Sequence, residues 1–160
     1  MTIRDESAVL ACMAYVDLNP ILAKMENTPE TSKHTSIQNR IQSLIKGEQP
    51  KNLMRFVGNH RQDMPKGIAY SLIDYCELVD CTGRCIREDK AGYKEQHHSP
   101  ILAGLGLDLD SGQWLILTTE FEQHFSTAVG SEHMLQQFKY HTNYQRIRGM
   151  AKARALLQSA

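Results

Sequence analysis

The sequence has no apolar run long enough to span a bilayer and no excess of charge of either sign. Its 18 Lys and Arg residues balance 18 Asp and Glu over 160 residues. The short apolar runs exclude a transmembrane helix. Met1-Thr-Ile-Arg-Asp-Glu6 lacks the apolar centre of a signal peptide, so no leader is expected. Cysteine is sparse, with four residues at 12, 76, 81 and 85. Cys81 and Cys85 share a helical face, but Cys76 falls one residue off the next turn. That is not the ligand spacing of a zinc cluster, and the four are expected to be buried or surface thiols. Free thiols fit a reducing cytoplasm, the expected location. Seven histidines are present, and no two are separated by a single apolar residue. No stretch alternates apolar and polar residues as a strand does, and no internal repeat is found.

What remains is an ordinary globular composition, 41% apolar, in a chain able to bury a core. The pattern predicts a mainly α fold of about six helices. The first covers 7–19 and stops at Pro20, which cannot continue a helix and biases Asn19 away from helical geometry. Thr35 or Ser36 caps a second helix carrying Ile37, Ile41, Leu44 and Ile45, which ends at Gly47. Gly47, Pro50, Gly58, Pro65 and Gly67 punctuate 47–70, the expected mobile linker. Ser71 and Asp74 have capping-box spacing at the head of a helix with Leu72, Ile73, Cys76, Val79 and Ile86, weakened by Gly83. Residues 88–99 are expected to be a polar loop. A short helix at 99–104, a longer one at 110–128, one from Ser131 to about 140, and an amphipathic tail at 144–158 complete the series.

Charge is segregated even though the total is zero. Residues 31–66 hold seven cations against two acids, residues 67–132 hold four against eleven, and residues 133–160 hold five and no acid. Basic segments of this kind can contact phosphates. The candidates are Arg40, Lys46 and Arg61 in the first segment and Arg146, Arg148, Lys152 and Arg154 in the second. Solvated helix faces are the alternative, because phosphate contact needs only loosely spaced cations. The adjacent pair His97-His98 diverges and makes a poor chelate, which fits a loop.

The most informative stretch is Tyr15-Val-Asp-Leu-Asn-Pro20. Tyr15 and Asn19 lie four apart, on one helical face. A phenolate is a competent nucleophile once a cation lowers its pKa, and an amide oxygen is a hard ligand for Mg or Mn. The structural alternatives are an interfacial aromatic at 15 and a helix-terminal Asn before proline at 19. Asp17 lies off the Tyr15 face and, like Lys24, is expected at an ordinary solvated surface.

The stretch through Met25, followed by Glu26-Asn-Thr-Pro-Glu30, resembles the tyrosine helix of REP-associated tyrosine transposases, of the single-tyrosine HUH nuclease superfamily. Similar segments follow in order: His34 to Ile41, Leu72 to Lys90, Pro100 to Leu107, and Trp114 to Gly130. Together the resemblance spans roughly 5 to 130. It implies that Tyr15 is the nucleophile that attacks a DNA phosphate, leaving a 5′-phosphotyrosine and a free 3′-OH. It also implies that Asn19 helps order a Mg or Mn ion, and that single-stranded or hairpin DNA is the partner. A homodimer is left open, and no membrane partner is expected.

The sequence departs from the family in one respect. The His-hydrophobic-His pair that holds the family's metal is absent, and about a dozen residues precede Tyr15. The chain is therefore expected to match the C-terminal helical part of an α+β HUH transposase, with residues 1–30 as the tyrosine-helix remnant and 31–160 as a helical extension. In that case no cofactor is expected in this chain alone, and a non-catalytic DNA-binding or regulatory module becomes the alternative function.

Overall fold

A computed structural model describes residues 6–58, 66–88, 93–125, 128–142 and 144–157. The fold is mainly α. Eight helices form among the described residues: α1 (Glu6–Leu22), α2 (Ser36–Ile45), α3 (Leu72–Glu88), α4 (Tyr93–Gly104), α5 (Ser111–Thr119), α6 (Phe121–His124), α7 (Glu132–Thr142) and α8 (Met150–Leu156). The extended structure among them is one isolated parallel pairing, Phe56 with Ile68. The surplus over six helices has a local cause.

That cause acts near Glu120, where one expected helix divides into α5 and α6. Thr118 Oγ1 donates to Trp114 O at 2.9 Å and Thr119 Oγ1 to Leu115 O at 2.7 Å. Hydroxyls that bond back to the preceding turn compete with the helix ladder and bend it. Glu120 then takes φ −117° and ψ 20°, outside the helical range. A further difference adds no helix but lengthens one: α4, expected at 99–104, begins at Tyr93, so His97 and His98, expected in a loop, are helical. Pro100 lies inside this helix.

Helix α1 does not stop at Pro20 but runs on to Leu22. Pro20 has no N–H to return to the carbonyl of Val16, and Val16 is exposed, so water can satisfy that carbonyl. The chain leaves the helix through Lys24, whose φ of 57° is the left-handed geometry of a helix C-terminus. Helix α2 begins as its sequence predicts. Thr35 is the N-cap, and its hydroxyl accepts from Gln38 N at 3.3 Å. At α3, Ser71 Oγ accepts from Asp74 N at 3.4 Å, a long version of the expected cap.

The chain forms two compact units. One comprises Val16–Ser111. Its buried residues include Leu18, Ile37, Phe56, Tyr75, Leu78, Val79 and Leu102. Helices α3 and α4 pack on each other here, as do α2 and α3. The other unit comprises Gly112–Ala160 with the chain up to Tyr15, and it buries Trp114, Leu117, Phe125, Leu135 and Leu156.

The segment 47–70 is tied down where it is described. Gln49 bonds both the N–H and the C=O of Phe56 at 2.9 Å. Val57 N donates to Ile68 O at 2.9 Å, and Ile68 N to Arg55 O at 2.8 Å. Phe56, Ile68 and Tyr70 are buried. Apolar side chains spaced among the glycines and prolines anchor this stretch.

Candidate functional site

Tyr15 is half-buried near the middle of α1. Its ring stacks on Phe121 with centroids 5.4 Å apart. Partial burial and the neighbouring Glu122 carboxylate, which accepts its hydrogen bond, raise the phenol above its ordinary value. A nucleophilic phenol needs the opposite shift. Asn19 lies one turn further along α1 and is exposed. It sits inside the helix, not at its end, because α1 passes through Pro20. A Mg or Mn site needs several hard oxygen or imidazole donors. Among the described residues, the one group of three His, Cys or acidic side chains able to converge on an ion is Cys81, Cys85 and His98. The described residues do not assemble a hard-cation site around Tyr15.

Asp17 corrects the expectation of a solvated surface, because it is fully buried. Its Oδ1 accepts from Ser36 Oγ at 2.7 Å and from Ile37 N at 3.1 Å, and its Oδ2 accepts from Tyr75 OH at 2.6 Å. The carboxylate thus serves the first turn of α2, where the helix dipole favours negative charge. Burial nevertheless raises its pKa, against the lowering effect of those three hydrogen bonds and of Arg40. Tyr75 is pushed well above the usual phenol value by burial and by Asp17.

Arg40, a candidate phosphate contact by sequence, belongs to the same buried cluster. It is 3% exposed, and its Nη1 donates to Met54 O at 3.0 Å. Its guanidinium lies 4.8 Å over the Phe56 ring, which in turn lies 5.1 Å from the Tyr75 ring. The apolar stripe of α2 carries Arg40 inward beside Ile37, and its fork finds a carbonyl and an aromatic face there. It is buried, not at the surface.

The remaining candidates divide. Lys46 is exposed just past α2, and Arg61 lies outside the described residues. Arg146 and Arg148 are exposed, and Lys152 is half-buried on α8. Arg154 is engaged by Glu132 at the start of α7. Its Nε reaches Oε2 at 2.8 Å and its Nη2 reaches Oε1 at 2.5 Å. The acid that binds it stands one residue before the acid-free segment 133–160, which is why sequence segmentation missed the pair.

Between α7 and α8 the aromatic residues stand out. Tyr140 is 83% exposed and Tyr144 48%. Tyr144 stacks on Phe138 at 6.1 Å, and Tyr140 meets His141 edge-on at 5.6 Å. An open groove lies between them, lined by Gln136, Lys139, Tyr140, His141, Tyr144 and Gln145.

The sequence also missed a buried cluster on α3 and α4. Cys81 Sγ, Cys85 Sγ and a ring nitrogen of His98 all lie within 4.8 Å of one another. Burial, and then the adjacent Cys85 thiol, push Cys81 up to about 11. Beside them Thr82 Oγ1 lies 3.2 Å from His98 Nε2. The four-residue step from Cys81 to Cys85 was a legible signal. His98 was not, because its helix was expected to be a loop.

Comparison with known protein families, with curated proteins and with solved structures gives no match for this chain. No described helix is long and apolar enough to cross a membrane.

Proposed function

We propose that the chain is a transposase-type protein that binds single-stranded DNA and does not cleave it unaided. The observation that carries this reading is the groove at the end of α7. Exposed Tyr140 and Tyr144 line it with Lys139 and His141, and two more exposed cations, Arg146 and Arg148, follow within four residues of Tyr144 in the chain. Aromatic faces beside cations suit a single strand: bases stack on the rings and phosphates meet the cations, with little preference for sequence.

Tyr15 keeps its place in this reading as the family nucleophile, but its surroundings favour the non-catalytic form of the function. Partial burial, and then the Glu122 carboxylate, raise the phenol and so disfavour the phenolate that attack requires. The sequence supplies no His-hydrophobic-His pair to bring a metal to it.

The test is binding of a fluorescent single-stranded oligonucleotide by anisotropy at several salt concentrations. Replacing Tyr140 or Tyr144 by Ala should weaken binding about fivefold or more, the low end of about 1–3 kcal/mol per stacked base. Replacing Arg146 and Arg148 by Ala should lower the slope of log affinity against log salt by up to about 0.7 per lost contact. Unchanged affinity and slope in both variants would remove this groove from the function. A covalent protein–DNA band with Mg or Mn, lost in Tyr15→Phe, would overturn the non-catalytic part.

A further inference from the structure

We propose that Cys81, Cys85 and His98 form a zinc site that clamps α3 to α4. The two cysteines are one turn apart on α3, and His98 faces them from α4. Cys81 is 9% exposed, Cys85 2% and His98 0%. Their donor atoms lie within 4.8 Å of one another. Around a tetrahedral zinc, with Zn–S near 2.3 Å and Zn–N near 2.0 Å, donors stand about 3.5–3.8 Å apart.

The histidine is also set in the right form. Thr82 Oγ1 donates its one proton to Leu78 O at 2.6 Å. Toward His98 Nε2, 3.2 Å away, it can therefore only accept. Nε2 carries the ring proton, and the lone pair is on Nδ1. The ligand assigned in this proposal is therefore Nδ1, with Nε2 donating to an oxygen that fixes the tautomer. Thr82, itself fully buried, is the positioning residue.

Charge selects the ion. Two thiolates and a neutral imidazole neutralise one divalent cation, so the loaded site buries no net charge; a monovalent ion would leave one negative charge in the interior. Sulfur donors exclude Mg and Ca and suit zinc. Binding forms two Zn–S bonds and one Zn–N bond and releases the two thiol protons to solvent. The three side chains would leave the fourth position of a tetrahedral ion to another donor.

The test uses the full chain, freed of metal with a chelator under reducing conditions and titrated with Zn²⁺ or, as a spectroscopic probe, Co²⁺. One equivalent should bind, and Co²⁺ should give the near-ultraviolet thiolate charge-transfer band. A Cys81→Ser/Cys85→Ser variant should lose both, while Cys12→Ser keeps them. Should the double variant fail to fold, alkylation of the wild-type chain decides. Zn²⁺ should slow modification of Cys81 and Cys85 by about tenfold or more and leave Cys12 unchanged. Absence of stoichiometric binding, no protection from alkylation, or a Cys81–Cys85 disulfide as the stable form would overturn the proposal.

Discussion

The two compact units differ in where charged side chains are buried among the described residues. In Val16–Ser111 Asp17 and Arg40 are buried, together with Thr82 and His98. In the unit containing Gly112–Ala160, much of the charge and aromatic surface stays outside, on Tyr140, Tyr144, Arg146 and Arg148. Both regions look alike in a tally of cations. The difference is what each cation meets, since Arg40 has a carbonyl and an aromatic ring waiting beneath α2, whereas Arg146 faces solvent. Local basicity therefore does not identify the cations free to meet phosphate.

The contrast can be broken most forcefully at Asp17. Asp17→Ala strands the Ser36 hydroxyl, the Ile37 N–H and the Tyr75 hydroxyl inside the first of these units. A loss of about 3 kcal/mol or more is expected, given roughly 1–3 kcal/mol per stranded buried group. Urea unfolding followed by circular dichroism measures it; a loss under about 1 kcal/mol would mean that water reaches the cluster. The same residue gives a pH signature. Its folded pKa is raised, so the native state holds the proton more tightly than the unfolded chain does. Its contribution is greatest below the unfolded carboxylate value and declines as pH rises through the raised folded value. Asp17→Asn should remove that decline from the stability–pH curve. A variant curve parallel to wild type would contradict the buried, proton-retaining carboxyl.

A smaller but still clear effect is expected in the other unit at Gly149, the residue before α8. Its φ is +100°, and a Cβ there would lie 2.6 Å from both His124 O and Phe125 Cδ1. Gly149→Ala should cost about 1–3 kcal/mol through backbone strain and the clash with a carbonyl that cannot swing away. Fluorescence of Trp114, the single tryptophan, reports unfolding of this unit. An unchanged midpoint would show that the 149 turn relaxes freely.

The smallest effect is assigned to Arg154. Its pairing with Glu132 is bidentate but lies at the surface, where solvent and side-chain entropy offset most of the attraction. Arg154→Ala should leave the unfolding midpoint within error and leave single-strand affinity unchanged, because the guanidinium is already occupied. A clear loss of affinity would show that DNA competes Glu132 away.

Sequence patterning located α2, α3 and α7 well, because each has a capping residue followed by apolar residues at helical spacing. The Gly/Pro-rich 47–70 stretch was read as a linker from composition, which reports local propensity and not the burial of Phe56 and Ile68 or the backbone pairing between them. Proline was over-read at Pro20, which lies inside α1. The half-exposed position of Tyr15 on a helix was legible. The carboxylate beside it was not, since Glu122 is over a hundred residues away and nothing in the pattern around Tyr15 points to it. Asp17 was misplaced because the faces of α1 were ranked around Tyr15, and the position buries an acid where an apolar residue is usual.

Gly83 shows how such distant fits constrain change in the sequence itself. Its bare backbone lies so near α1 that an added Cβ would sit 2.9 Å from Ile21 Cδ1 and 3.6 Å from Leu18 Cδ2. Positions 21 and 83, 62 places apart in the numbering, thus draw on one volume: Gly83→Ala displaces the Ile21 Cδ1 methyl, and Ile21→Val, which removes that methyl, makes room for it.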